Sequence, residues 1–125
     1  MTAQAAHSVE EYVGRLWEVL ALAGFFAGSI AEDPETGFVV GNSIFVAFGF
    51  WCFLWPVRRR WLSRPVFAWI WVVVELLNGI LHPALSVSRG EYLPGTATAP
   101  VLFVLAAYLA WQLVGARAGT ASRGG

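Results

Sequence analysis

Lysine is absent from this chain, cysteine and methionine occur once each, and charged residues fill only 13% of its 125 positions. A single cysteine excludes an internal disulfide framework and any multi-cysteine zinc site. Eight arginines against eight acidic residues give a net charge of zero, so there is no basic field for nucleic acid. No Gly-rich phosphate loop, His-Glu-x-x-His run or Ser-His-Asp spacing is present, which argues against a nucleotide enzyme or a classical hydrolase. No internal repeat is visible. What fills the chain is apolar: 58% hydrophobic residues, with seven Trp and nine Phe, against about 45–50% apolar in ordinary soluble domains. A soluble domain this small exposes too much surface to keep that composition in water. The expectation is an all-α polytopic membrane protein, an antiparallel bundle of four transmembrane helices.

Four segments have the length and apolarity to span a bilayer, which takes about 20 helical residues: roughly Tyr12–Ile30, Gly37–Val57, Pro65–Leu85 and Ala99–Val114. Together they make a transmembrane domain over 1–115, followed by a small, polar tail, 116–125, expected to be disordered. Ser63 and Thr98 read as N-caps with proline in the following turn, and Pro94-Gly95 as a type II turn. Arg58, Arg59, Arg60 and Arg64 fill the second loop, and Arg117 and Arg123 the tail, whereas the first loop is acidic. The positive-inside rule then places both termini and the second loop in the cytoplasm, with Trp51, Trp55, Trp61, Trp69 and Trp71 towards that side. Glu10, Glu11 and Glu18 interrupt any signal-peptide pattern. The expected location is a bacterial plasma (inner) membrane.

Ionisable residues inside a span cost about 2.5–3.5 kcal/mol each on insertion scales and need a reason. Glu18 falls about 9 Å into the first span and Glu75 about 15 Å into the third, at 1.5 Å per residue, depths at which they could meet. Glu75, Asn78 and His82 recur at i, i+3 and i+7 and share one helix face; His82, before Pro83, is expected at a helix end. Asn42 lies level with Asn78, with Ser29 and Ser43 nearby in depth. Two adjoining carboxylates split their pKa values and suit acid–base chemistry. Asn and Ser in membrane helices can equally serve as interhelical hydrogen bonds. Metal ligation by Glu18, Glu75 and His82 is a weak signal, and no cofactor is identified. Cys52 reads as an apolar filler.

The catalytic candidates are therefore Glu18, Glu75, Asn78 and His82, with Asn42 and Tyr92 towards substrate. The expected function is a small membrane enzyme acting on an isoprenoid, sterol-like or other lipid substrate by isomerisation, hydration or cyclisation. The alternative is an accessory, pigment- or lipid-binding subunit of a larger membrane complex, or a homo-oligomer, in which the polar core is structural and His82 could ligate a porphyrin-type metal. Ion or proton transport through Glu18 and Glu75 is a third reading, disfavoured by the lack of a repeat or broken helix.

Asn78-x-x-x-His82, Tyr92-x-Pro94-Gly95 and His7-x-x-Glu10-Glu11 together resemble the motifs of the small HXXEE-domain membrane proteins, over His7 to about Leu113. The resemblance implies a membrane enzyme of unassigned reaction. On the four-span topology, His7–Glu11 lie on the cytoplasmic side and His82 on the other, three crossings apart. They come together only if the first helix is displaced. Ser29–Asp33 then stands at the far end of the first span as a degenerate counterpart without the histidine.

Overall fold

A computed structural model describes the backbone of residues 1–121 and the side chains of 1–115. The tail expected over 116–125 falls largely outside those limits. Among the described residues every regular element is helical: α1 (Thr2–Val13), α2 (Leu16–Val19), α3 (Ala21–Ile30), α4 (Pro34–Cys52), α5 (Arg64–Arg89) and α6 (Ala99–Ala121). A π-helical turn, Phe53–Val57, containing Pro56, extends α4. Three expected spans thus coincide with α4, α5 and α6.

The local chemistry accounts for their ends. Asp33 caps α4, its Oδ2 accepting from the Thr36 amide at 2.9 Å, and Pro34 occupies the first turn where no N–H is needed. Ser63 precedes α5 with Pro65 in its first turn, although the serine side chain makes no capping bond. Gly90 closes α5 in the left-handed conformation. Pro83 lies inside α5, which continues to Arg89. His82 is therefore not at a helix end, as its position before proline suggested, but two turns short of it.

The expected first span is not one helix. It breaks at Gly14-Arg15, where Arg15 adopts left-handed φ 53°, and again at Leu20, which is extended. Instead α1 lies along the bundle, starting beside Gly49 and Trp71 and ending at Gly14 against Pro94. At about 1.5 Å per residue its length is about 18 Å, too short to cross a bilayer. The short α2 and α3 pack at the end of the molecule that carries the acidic loop 32–35 and the loop 90–98. Trp17 packs on Phe38 with ring centroids 4.8 Å apart and planes tilted by 42°, and Leu16, Ala27 and Leu93 complete that buried cluster. We call this the acidic end, and the loop 58–64 the arginine end.

Two helices, Pro34–Val57 and Arg64–Arg89, are long and apolar enough to cross a membrane, and only 22% of each apolar window is buried. Their apolar flanks therefore face outward, unlike those of a core helix in a water-soluble domain. The apolar run of α6, Ala99–Gly115, is shorter, but Val104, Tyr108 and Trp111 likewise point outward.

Helix α1 reverses the usual amphipathic pattern. Gln4, His7, Ser8 and Glu11, at i, i+3, i+4 and i+7, are buried. Val9 and Val13, on the opposite side, are 60% and 74% exposed. The polar stripe turns inward.

Candidate functional site

The inward stripe of α1 meets the Glu75–Asn78–His82 face of α5. With its amide nitrogen turned to the carboxylate, Gln4 donates to the two Glu75 oxygens at 2.9 and 3.1 Å. One level up, Glu11 Oε1 lies 3.2 Å from His82 Nε2 and 3.3 Å from His7 Nε2. Gln4 to Glu11 and Glu75 to His82 are the same interval, so the two helices run parallel and in register.

His7, Glu11 and His82 are all buried, His7 completely, and their ligand atoms lie within 4.8 Å of one another. The imidazoles stand edge to face, 4.8 Å between centroids and 87° between planes. Each ring is anchored from behind. His82 Nδ1 lies 2.7 Å from the Pro94 carbonyl oxygen, which can only accept, so this nitrogen carries a proton. His7 Nδ1 lies 2.7 Å from Thr98 Oγ1, whose own proton goes to Glu10 at 2.6 Å, so His7 Nδ1 donates as well.

The neighbouring Glu10 turns away from this cluster into the 92–98 loop. Oε1 accepts from the Gly95 amide at 2.9 Å and the Ala97 amide at 3.0 Å, and from the Tyr92 hydroxyl. Oε2 accepts from the Thr98 amide at 2.9 Å and its hydroxyl. Partial burial would raise its pKa, but the Thr98 and Tyr92 hydroxyls and the Ala97 and Thr98 amides bring it down to about 2. Tyr92 is shifted up in turn, chiefly by its bond to the carboxylate.

Gly95 fits the Pro94-Gly95 turn with φ +98°, and a side chain there would stand 2.5 Å from His82 Nδ1 and 2.8 Å from His7 Cε1. This position needs glycine twice over, for its backbone conformation and for its approach to both rings. Gly79, inside Asn78-x-x-x-His82, lets α5 close on Phe103 of α6.

The structure separates some of the residues that the sequence reading grouped together. Glu18, on α2, pairs with Arg15 at 2.7 Å and is about half exposed; it does not approach Glu75. Asn78 keeps its place on the α5 face between Glu75 and His82 but makes no side-chain hydrogen bond among the described residues. Asn42 accepts from Ser8 Oγ at 3.0 Å, and Tyr92 binds Glu10 rather than standing free. Among the described residues Ser29 bonds the Phe26 carbonyl alone, and Glu32 is exposed, so the degenerate counterpart has no part in the cluster. His7, Glu10 and Glu11 are the site residues that the topological argument set aside. The signal that locates them is the Gln4–His7–Ser8–Glu11 spacing.

Two cavities flank α1. An open groove of about 650 Å³ runs between α1 and α4, walled by Val9, Val39, Val46 and Phe50 over Ser8 and Asn42. A smaller one, about 120 Å³, lies between α1, α5 and α6 and holds Gln4 and Glu75 among Trp71, Leu102 and Leu105.

The model of a family described as a protein of unknown function with HXXEE motif matches residues 1–110. This chain belongs to the HXXEE family. Its defining run is His7-Ser8-Val9-Glu10-Glu11 on α1, and in this HXXEE protein Asn78-x-x-x-His82 and Tyr92-x-Pro94-Gly95 converge on the same place. No curated protein and no solved structure matches the chain.

Proposed function

We propose that this HXXEE protein is a multi-pass membrane enzyme whose chemistry takes place on the polar column between α1 and α5. The observation that carries the reading is the inverted α1, which brings His7 and Glu11 to His82 and Gln4 to Glu75 inside an otherwise apolar molecule. Burying ionisable groups in such surroundings is costly, and a merely structural helix would use apolar residues there. Glu75, beside the smaller cavity, supplies the acid–base carboxylate. His82 and Glu11 form a polar centre one to two turns away, and Asn78 stands between them to orient a substrate oxygen.

The α1–α4 groove has the volume and apolar walls of a ligand site and opens on the exposed flank of α4. It suits the hydrocarbon part of an isoprenoid, sterol-like molecule or other lipid entering sideways from the bilayer, with Ser8 and Asn42 meeting a polar group. Isomerisation, hydration and cyclisation fit these groups. The arginine end faces the cytoplasm of a bacterial inner membrane by the positive-inside rule. Glu18 has no role in this scheme.

The test is reconstitution of the full chain with a lipid extract, followed by liquid chromatography and mass spectrometry, which together separate isomers of equal mass. Wild type should deplete one lipid class, and Glu75→Gln should slow this about 100-fold or more while thermal melting shows it still folded. A lipid profile unchanged by wild type would sink the enzymatic reading. A second reading, a subunit whose polar core is structural, draws on Glu10, which is saturated by hydrogen bonds and serves only to hold a loop. A stoichiometric partner in mild detergent, with no lipid turnover, would favour it.

A further inference from the structure

The contacts of Glu11 with the two histidines do not balance as they stand. Both Nδ1 atoms carry protons, fixed by the Pro94 carbonyl and by Thr98. The neutral rings therefore present bare Nε2 lone pairs to a carboxylate oxygen that also only accepts. His7 Nε2 is buried without a hydrogen-bond partner, on a side chain with 0% exposure. One added proton would satisfy one of the two contacts and leave the other opposed. Two would place two cations on buried rings whose centroids are 4.8 Å apart. A dication at the centre satisfies all three atoms at once.

We propose that His7 Nε2, His82 Nε2 and Glu11 Oε1 are the ligands of a divalent first-row transition-metal ion, zinc foremost by its preference for such a donor set. The two Nε2–Oε1 separations of 3.2 and 3.3 Å match the edge of a tetrahedron, about 3.3–3.4 Å for bonds of about 2.0–2.1 Å, and all three ligand atoms lie within 4.8 Å of one another. An octahedron with the same bonds needs about 2.9 Å. Two histidines and one carboxylate, three protein ligands in all, form the donor set of a catalytic rather than a four-ligand structural site.

The surroundings agree with this assignment. Each imidazole gives its remote N–H to an oxygen, which fixes the tautomer that leaves Nε2 free to ligate. The Thr98 hydroxyl in turn donates to Glu10, so the outer shell of the site is built from the Glu10 cradle. Gly95, packed against both rings, closes the side towards the loop. The proposal deepens the enzymatic reading of the same site and rests on it for what the ion would do, which is to polarise a substrate oxygen. The ligand assignment rests on the geometry alone.

The experiment uses the full chain in mild detergent, stripped with a chelator and titrated with CoCl₂ and then ZnCl₂. We expect one equivalent of Co²⁺ with the intense visible bands of a tetrahedral centre, displaced by one equivalent of Zn²⁺. His7→Ala, Glu11→Ala and His82→Ala should each weaken binding by about 100-fold or more, and Thr98→Val, from the outer shell, by about 10-fold. Glu18→Gln should bind as wild type does. Circular dichroism identifies any variant that fails to fold, and the wild-type titration stands without the variants. The proposal is overturned if folded, stripped wild type takes up neither ion stoichiometrically, or if bound Co²⁺ is octahedral and survives His82→Ala. Tight tetrahedral binding with no lipid turnover would sustain the site and sink the enzymatic reading. Turnover by fully stripped protein would sustain the enzymatic reading and overturn the ion's part in it, with the ligand assignment decided by the titration.

Discussion

Glu10 and Glu11 are neighbours in sequence and opposites in environment. Glu10 faces five hydrogen-bond donations from three backbone amides and two hydroxyls. Glu11 faces two imidazole nitrogens whose protons are held on their far sides. The first carboxylate has as many donors as it can use, whereas the second has acceptors where donors should be. One helical step of about 100° turns the chain from a finished structural joint to a centre that lacks a positive charge. The motif as it stands in this chain is thus two devices side by side. In this chain its first Glu braces the loop that anchors the histidines, and its second faces their Nε2 atoms.

Substitutions can break this contrast or sharpen it. The largest effect is expected at Gly95, where alanine combines a strained φ with overlap against both imidazoles. Gly95→Ala should cost about 3 kcal/mol or more, read as a loss of thermal stability in detergent. Glu10→Gln should come next, at about 2–3 kcal/mol, because a carboxylate meeting several donors is replaced by an amide that brings N–H groups of its own. Tyr92→Phe removes one of those donors and should cost about 1 kcal/mol. Glu11→Gln is the decisive comparison. In metal-stripped protein its amide can donate to a bare imidazole nitrogen, so stability should stay within about 1 kcal/mol of wild type or rise. Equal destabilisation by the two Glu→Gln changes would remove the distinction between the neighbours. Glu18→Gln, which breaks only an exposed pair with Arg15, should shift stability by less than about 0.5 kcal/mol.

Much of the fold was legible because helix ends and apolar length are local properties. The 34–57, 64–89 and 99–115 segments follow from their capping residues, prolines and hydropathy. The first 30 residues were not, because summing hydropathy over Tyr12–Ile30 hides the breaks at Arg15 and Leu20, which depend on backbone conformation. Counting that stretch as a crossing sent His7–Glu11 to the wrong end and made Glu18 look deep. At the site, the i, i+3, i+7 spacing correctly put Glu75, Asn78 and His82 on one face. Their partners on α1 have the same kind of spacing, but a polar stripe on a helix normally signals an exposed face. Only tertiary packing reveals that this one points in. Thr98, read from sequence as a helix cap, serves Glu10 and His7 through the same hydroxyl.

The inverted α1 also has a consequence for the order of assembly. Its polar stripe is satisfied by residues that follow it in the chain: Asn42 on α4, Glu75 and His82 on α5, and Thr98 before α6, the last of these 91 residues from His7. Until those helices exist, α1 has no place in an apolar medium, since each unmatched polar group there costs free energy. On the membrane reading proposed above, a segment that precedes all of its partners in the chain would therefore seat only once they are in place, completing the site in the same step.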